Sequence, residues 1–598
     1  MFTERIKSLS PENICQDLFM NFSSNSFWEN LSETQRKKII LQGEKTLQQE
    51  WPVLYATDWL DFSRTGNRAN FEQSYFTRRR MLNDLILAEC AENSGRFLDQ
   101  IINGIWLICE ESAWQAPAHN SYYRDTAQLP MPDCTRPILD LLACETGALL
   151  ALAYKLLKNK MPTLCTQVCE RIQQELEFRI YTPYLQEHFW WMGNGDEPMC
   201  NWTTWCTQNI LICFFALPQT SQTALTVIKK AANSLDCFLK DYGEDGCCRE
   251  GAHYYRAAAI CLGQCLEFLT QLVPNAFDDC WKLPLVQNMI AFILHMHVDG
   301  EYYLNYSDCS PKIGPCGVRE YLFASRTDCA ELMSLAAEQY RNQPPLLTAM
   351  RGVNLFCRLQ ELALDKTVRT HPILPIHYGE VYYPSTGIWV TRDNRYCLSA
   401  KSGANADSHN HNDTGSIIVY IDQKPFLIDI GVGSYTKKTF SAQRYEIWTM
   451  QSAWHNLPTF DGIMQEYGQQ YCAGSSVSEF EPKKSTFSME LSDAWPKTAH
   501  LAYYQRTVTL FKNSHIEIQE HCRGTFCTAV LSLMFCKEVI TNGINMVRTL
   551  DGSIHFTGAN AIQVEPVVMN DARLQSIWGE TLWRVLVHFD HDLVWKIQ

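Results

Sequence analysis

The sequence is short of charged residues, and of positively charged residues above all. Charged residues make up 19% of the 598 positions, and 51 Lys and Arg stand against 65 Asp and Glu, which gives a formal net charge of −14. A surface that binds nucleic acid needs concentrated Lys and Arg to neutralise phosphates. This composition therefore argues against a nucleic-acid partner, and an anionic ligand would need a local basic patch.

Long apolar runs are also missing. The opening MFTERIKSLSPENICQDLFM has no apolar segment behind a basic one, and no later stretch approaches the ~20 apolar residues that span a bilayer. The 25 cysteines lack the paired spacing of a zinc ribbon, which favours reduced thiols. We therefore expect no export signal and no membrane segment, and a cytoplasmic protein rather than a periplasmic or secreted one.

Apolar and aromatic residues are abundant. Hydrophobic residues account for 46% of the chain and aromatic residues for 12%, including 17 Trp. Together with the length, this content predicts a well-packed enzyme of two or three domains rather than a disordered scaffold. The aromatic excess also suits a carbohydrate-binding cleft.

Two periodicities divide the chain. From about residue 80 to 365, apolar residues recur at helical spacing, with Pro137 and Pro162 at predicted helix starts and Gly243 after a helix end. After about residue 375, alternation of period two predicts antiparallel strands. The sequence thus predicts an α+β fold, and periodicity alone leaves open whether the helical hairpins form an open solenoid or a closed α/α toroid.

Histidines and a carboxylate are concentrated in the predicted β domain. His409 and His411 lie one residue apart in SHNHN, so on an extended segment both rings would face the same side. Asp429 ends the apolar run KPFLIDIG, where a carboxylate needs a partner or a metal, and His455 follows in SAWHNLP. His411, Asp429 and His455 can form a two-nitrogen, one-oxygen metal site. The alternative is that they are loop histidines and a strand-end cap.

The helical region contains two further candidate motifs. In CREGAHYYRAAA, Tyr254 lies between His253 and Arg256, and a nearby cation can lower the pKa of a phenol and make it a proton shuttle. Packing at a helix start is the alternative. In WWMGNGDEPMCNWTTW, Asn201 can hold a substrate carboxyl group or cap the helix that follows. Trp190 and Trp202 can stack on sugar rings.

Together these stretches resemble a known family. HNHNDTGSIIVYIDQKPFLIDIG followed by YTKKTFSAQRYEIWTMQSAWHNLPTFDG, with NW and EGAHYY in the helical region, resembles the heparinase II/III-like polysaccharide lyases. The resemblance implies an N-terminal α/α toroid, an incomplete barrel of helical hairpins, followed by an antiparallel β-sandwich. It gives the domain boundaries as an N-terminal helical extension packed on the toroid (1–79), the toroid (80–370) and the β domain (371–598).

The resemblance also implies roles for individual residues. Asn201 is similar to the family's asparagine that holds the uronate carboxyl group, Tyr254 to its catalytic tyrosine, and His409 to the histidine that faces the substrate. His253 departs from the commonest form of the tyrosine motif and is predicted to be either a second catalytic residue or a packing neighbour. Residues predicted to bind substrate are Trp190, Trp202, Arg256, Arg444 and Tyr445, although a sheet-capping role is as compatible with the last two.

For cofactor and metal, the resemblance assigns His411, Asp429 and His455 to a divalent ion that is mainly structural. Zinc is the first choice, with manganese or calcium as alternatives.

The implied activity is cleavage of uronic-acid-containing glycosaminoglycans by β-elimination. Hyaluronan, chondroitin or dermatan sulfate and heparan sulfate are the predicted substrates, and the products would be 4,5-unsaturated uronyl oligosaccharides. The expected partner is therefore an acidic polysaccharide or oligosaccharide. Alternatives are a lyase for alginate or another uronan, an α/α-toroid glycoside hydrolase, and a glycan-binding protein without catalysis.

Overall fold

The computed structural model describes residues 1–16, 18–124, 126–161 and 165–598, and the chain divides into two compact units. The helix start predicted at Pro162 lies outside the described residues. The first unit comprises Met1–Tyr242, Arg256–Val286 and Cys316–Leu374, and the second comprises Gly243–Tyr255, Gln287–Pro315 and Pro375–Gln598.

Helices make up most of the first unit. Along the whole chain the α-helices are α1 (Phe2–Arg5), α2 (Met20–Ser23), α3 (Asn25–Glu29), α4 (Glu33–Leu47), α5 (Ala56–Thr65), α6 (Ala69–Glu92), α7 (Leu98–Cys109), α8 (Leu141–Leu157), α9 (Thr166–Leu176), α10 (Thr182–Gln186), α11 (Asn201–Ala216), α12 (Ser221–Lys240), α13 (Cys261–Leu272), α14 (Pro284–Met296), α15 (Val318–Arg326), α16 (Ala330–Asn342), α17 (Leu347–Arg351), α18 (Leu355–Thr370) and α19 (Ala572–Trp578). Most of α14 and all of α19 belong to the second unit. None of the helices within the described ranges combines the length and the apolar character that crossing a bilayer requires.

Local sequence explains where these helices begin and how closely they pack. The helix predicted to start at Pro137 starts instead at Leu141, because the Asp140 side chain accepts a hydrogen bond from the backbone N–H of Ala143 at 2.7 Å and caps it. Gly147 of α8 lies against Cys213 of α11, where a Cβ atom would come within 2.9 Å of the sulfur. The glycine therefore lets these two buried helices approach each other.

The predicted domain boundaries fall at different kinds of position. Residue 80 lies inside the continuous helix α6, so no chain break separates the N-terminal extension from the helices after it. The backbone N–H of Phe2 donates to Asp236 of α12 at 2.6 Å, which ties the N-terminus to the same unit. Residue 370 ends α18, four residues before the last residue of the first unit.

Strands are the main regular secondary structure of the second unit. They are β1 (His297–Asp299), β2 (Tyr302–Tyr303), β3 (Val381–Tyr383), β4 (Ile388–Arg392), β5 (Tyr396–Lys401), β6 (Ala404–Asn405), β7 (Ile417–Ile421), β8 (Lys424–Leu427), β9 (Pro458–Phe460), β10 (Gly468–Cys472), β11 (Ser475–Phe480), β12 (Lys484–Glu490), β13 (Leu501–Phe511), β14 (His515–Gly524), β15 (Ala529–Phe535), β16 (Ile540–Thr541), β17 (Met546–Arg548), β18 (Ser553–Val568) and β19 (Thr581–Ile597).

All pairings among these strands are antiparallel, and they form two principal sheets. The larger has the order β11-β12-β13-β14-β19-β18-β17-β16, with β15 pairing β19 and β9, and the smaller has the order β3-β4-β5-β7-β8. Trp389 and Val419 of the smaller sheet share one apolar core with Phe487 and Trp595 of the larger. Alternation of buried and partly exposed residues along β12 and β13 produces this two-layer packing.

Two segments from the helical part of the sequence belong to the second unit. Gly251 has φ +82° and lies against the backbone of Tyr306, where a Cβ atom would come within 2.6 Å of the carbonyl oxygen. Asn305 donates to the backbone carbonyl of Asp429 at 3.1 Å. Residues around 250 and 308 are therefore held beside the loops of the β unit.

Because of two histidines in the second unit, we expect the folded protein to lose stability in acid. Burial, together with the charge of Arg392, lowers the pKa of His295 and of His297 to about 4. The rings are neutral when folded and take up protons on unfolding below pH ~6.5. Their contribution to stability is therefore present above that pH and is lost as the pH falls towards 4, by about 3 kcal/mol per ring.

Chemical denaturation between pH 7 and pH 4.5 tests this expectation. The double variant His295→Gln/His297→Gln should lose less unfolding free energy over this range than the wild type. Exposed His555 and His591, replaced in the same way, are the matched control and should retain the wild-type dependence. Equal pH dependence in all three proteins would contradict the prediction.

Candidate functional site

His409 and His411 are brought together by a carboxylate and not by a strand. They lie in the loop between β6 and β7, and His409 has a left-handed backbone with φ 57°. The buried Asp308, in the loop after β2, places Oδ2 2.8 Å from His409 Nδ1 and Oδ1 3.0 Å from His411 Nε2. The expected extended geometry is therefore wrong, and one carboxylate orients both rings.

Asp308 is also bound by Arg444. The guanidinium donates to Asp308 Oδ1 at 2.6 Å and to the backbone carbonyls of Asn410 and Thr439 at 3.0 Å each. Burial alone would raise the pKa of the Asp308 carboxyl, but the hydrogen bonds from His409 and His411 and the charge of Arg444 outweigh it and hold the pKa well below its usual range. Asp308 is thus a fixed negative charge.

Tyr254 lies against His409. The two ring centroids are 4.6 Å apart, and the Tyr254 hydroxyl shares a hydrogen bond of 2.9 Å with the hydroxyl of Tyr435. Tyr435 in turn donates to Asp308 Oδ2 at 3.4 Å. Burial raises the pKa of Tyr254 to about 12, so the expectation of a lowered phenol pKa is wrong for the protein without substrate.

The remaining residues near His409 and Tyr254 differ in exposure. Glu250 Oε2 lies 3.4 Å from His409 Nε2, on the side of the ring opposite Asp308. His253 is exposed and its ring meets Tyr254 edge-on at 5.3 Å. Tyr445 stacks on Tyr467 at 4.9 Å and accepts a hydrogen bond from Asn410 at 3.3 Å.

His411, Asp429 and His455 converge at a buried point. One ligand atom from each lies within 4.8 Å of the others, and all three side chains are buried. His455 Nδ1 is 2.7 Å from Asp429 Oδ2, and Asp429 Oδ1 accepts a hydrogen bond from the backbone N–H of Gly431 at 2.8 Å. Burial alone would raise the pKa of Asp429, but His455 outweighs it and lowers the pKa.

The donor atoms of this group fit a divalent metal ion. Within the described part of the chain, His411 Nδ1 and His455 Nε2 are buried atoms that have no hydrogen-bond partner. Asp308 holds the other ring nitrogen of His411, the arrangement in which a carboxylate orients a metal-binding imidazole. Two unsatisfied nitrogens and a carboxylate are a ligand set suited to zinc.

The other predicted site residues lie in the first unit. Asn201 is buried at the first position of α11, and the N-cap residue is Cys200, so the capping alternative for Asn201 is wrong. Trp190 and Trp202 pack together with ring centroids 5.0 Å apart. Arg256 forms an ion pair with Glu320 at 2.7 Å.

Sequence reasoning missed Asp308 and Tyr435. Asp308 is 101 positions before His409 and 136 before Arg444, and its surroundings in NYSDCSP carry no motif. Tyr435 lies six residues after Asp429 and is the first residue of the quoted segment YTKKTFSAQRYEIWTMQSAWHNLPTFDG, so its position offered a weak signal.

Part of the second unit matches a known protein family. Residues 379–525 match the family model described as heparinase II/III-like, C-terminal. These residues form a heparinase II/III-like C-terminal domain. The domain includes His409, His411, Asp429, Arg444 and His455, whereas Tyr254 and Asp308 precede it. No curated protein sequence matches the chain significantly.

Several solved structures have a fold similar to that of the chain. The chain is similar to a crystal structure of heparinase III, at 14% identity and a TM-score of 0.58 over 87% of this chain and 76% of that one. It is also similar to a heparan sulfate lyase from Pedobacter heparinus, at 12% identity and 0.57 over 100% and 92%. A chondroitin AC lyase variant from Streptomyces coelicolor gives 8% and 0.50 over 97% and 82%. The predicted fold class, a helical α/α toroid followed by an antiparallel β-sandwich domain, is confirmed.

Proposed function

We propose that the protein is a polysaccharide lyase that cleaves uronic-acid-containing glycosaminoglycans by β-elimination. One observation carries the proposal: a phenol and an imidazole, those of Tyr254 and His409, lie side by side with partial exposure to solvent, and both connect to the buried Asp308. The heparinase II/III-like domain and the fold similarity to glycosaminoglycan lyases support the same assignment.

β-Elimination makes three demands on an enzyme. The uronate carboxylate must be neutralised so that negative charge can develop on it, a base must remove the C5 proton, and an acid must protonate the leaving O4. The C5–H and C4–O4 bonds break while a C4–C5 double bond forms. Asn201 is the proposed partner of the carboxylate, following the family resemblance.

His409 is the proposed base. Asp308 accepts a hydrogen bond from Nδ1, and a proton on Nδ1 leaves the lone pair on Nε2 to take the C5 proton. Glu250, 3.4 Å from Nε2, would then stabilise the imidazolium that forms.

Tyr254 is the proposed acid. Its pKa, raised by burial to about 12, keeps the hydroxyl protonated at neutral pH and able to donate to O4. For the C5 epimer that places the proton and O4 on one face of the sugar ring, Tyr254 could serve both steps, as a phenolate that takes the C5 proton and then as the acid that delivers this proton to O4. His253, exposed beside Tyr254, is proposed to contact the substrate.

A divalent ion held by His411, Asp429 and His455 is proposed to be structural, with zinc preferred over manganese or calcium. When bound, it would supply charge that fixes His411 and, through Asp308, the orientation of His409.

A glycoside hydrolase would need two carboxyl groups flanking the scissile bond, about 5–10 Å apart, one of them able to donate a proton. Asp308 is buried and its oxygens accept hydrogen bonds from two histidines and Arg444, which keeps it ionised. Asp245, in the loop after α12, accepts hydrogen bonds from the side chain and backbone of Ser385. These contacts favour elimination over hydrolysis.

Incubation with a substrate panel tests the proposal. The purified protein is expected to generate ultraviolet absorbance of an unsaturated uronate from at least one of hyaluronan, chondroitin sulfate, dermatan sulfate and heparan sulfate, with alginate as the test of the alternative substrate class. New reducing ends without that absorbance would indicate a hydrolase. Binding without either signal would indicate a glycan-binding protein.

A further inference from the structure

Arg573 lies beside the tyrosine pair but outside the domain that the family model matches. It belongs to the first turn of α19, and its guanidinium carbon is 5.4 Å from the ring centroid of Tyr435. The guanidinium donates to the backbone carbonyl of Gly433 at 3.3 Å, and the residue is partly exposed. The segment before Tyr435 therefore holds the guanidinium of this arginine in place.

Among the residues that the structure describes, the charge of Arg573 has no acidic partner. Over the described residues, no carboxylate oxygen lies within the 4.0 Å of an ion pair with it, whereas Arg444 and Arg256 each have one within 2.7 Å. Its neighbour Asp571 accepts hydrogen bonds from the backbone N–H groups of Ser434 and Leu574 instead. In a chain with a net charge of −14, a partly exposed guanidinium of this kind is available to an anion.

Arg573 also acts on the catalytic candidate. The Tyr435 hydroxyl, whose ring faces the guanidinium, is 2.9 Å from the Tyr254 hydroxyl. Burial raises the pKa of Tyr254, and the positive charge of Arg573 opposes that rise. An anion bound by Arg573 would consequently lie next to the group that is proposed to protonate the leaving oxygen.

We propose that Arg573 is a substrate-binding residue that holds an anionic group, carboxylate or sulfate, of the sugar next to Tyr254. The planar guanidinium of Arg573 can donate two parallel hydrogen bonds to two oxygens of either group. This inference rests on the proposed lyase function and adds to it a specificity-determining residue from the end of the chain. The negative charges near Tyr254, Glu250 and Asp308, make a local cation necessary for an anionic polymer to approach.

Steady-state kinetics of Arg573→Gln and Arg573→Lys on the polymer that the wild type cleaves test this inference. The Gln variant is expected to raise KM by about 10- to 100-fold, with a smaller change in kcat, because a charge-assisted hydrogen bond is lost. The Lys variant should recover part of the affinity. Arg395 is an exposed arginine of the same unit, and Arg395→Gln is the control that should behave as the wild type.

Oligosaccharide binding to the Tyr254→Phe variant, measured with and without Arg573→Gln, distinguishes a bound carboxylate from a bound sulfate. A loss of affinity with Arg573→Gln for both hyaluronan and heparan sulfate fragments would assign a carboxylate, and a loss for heparan sulfate alone would assign a sulfate. An active enzyme whose KM is the same in Arg573→Gln and Arg395→Gln would overturn the inference and leave the lyase proposal standing. A wild type that cleaves no uronan would remove the lyase proposal and this inference with it.

Discussion

Replacing Tyr254 with phenylalanine is expected to lower kcat by at least about 100-fold, since positioned acid–base groups contribute factors of that size or more. The change removes one hydroxyl and keeps the ring that packs on His409. The lost hydrogen bond to Tyr435 should cost only about 1 kcal/mol of stability. Initial rates of unsaturated-product formation, together with thermal unfolding, separate the catalytic effect from a structural one.

A matched tyrosine provides the control for this variant. Tyr302 is a partly buried residue of β2 in the same unit, and its ring packs beside Lys312 rather than beside the proposed catalytic group. Tyr302→Phe should retain wild-type kcat. If Tyr254→Phe retained it as well, the tyrosine would not be the acid.

Replacing His455 with alanine is expected to abolish metal binding and to destabilise the protein strongly. Purified wild type should contain about one divalent ion per chain, because His411, Asp429 and His455 bring a three-ligand site together. The variant should lose that ion. It should also lose about 3–5 kcal/mol of unfolding free energy, because the buried Asp429 carboxylate is left without its histidine partner.

Elemental analysis and chemical denaturation measure these two effects independently. His521→Ala is the matched control, because His521 also pairs with an aspartate, Asp592, but both are exposed to solvent. That variant should keep the metal and most of the stability. An unchanged metal content in His455→Ala would contradict the assignment of the site.

Secondary structure was predictable from the sequence wherever a segment with a regular hydrophobic period was long. The alternating segment that became β13 and β14, and the helical segment that became α12, correspond to uninterrupted elements in the structure. The backbone at His409 was not predictable, because a left-handed residue in a polar loop leaves no periodic trace. An extended segment was therefore considered where the chain turns.

The site was predictable only in part. His411, Asp429 and His455 were proposed from residue type and resemblance, and they do converge. Asp308 could not be found, because a contact across 101 residues depends on how Gln287–Pro315 packs within the β unit. The direction of the Tyr254 pKa was also missed, since burial outweighs nearby charge and burial is not readable from a single sequence.

Product masses from a defined uronan oligosaccharide test β-elimination most directly. Elimination breaks the C4–O4 bond without consuming water, so the masses of the two products should sum to the mass of the substrate. One product should carry the unsaturated uronate at its new non-reducing end. Products whose masses sum to the substrate plus one water molecule would contradict elimination and identify the protein as a hydrolase.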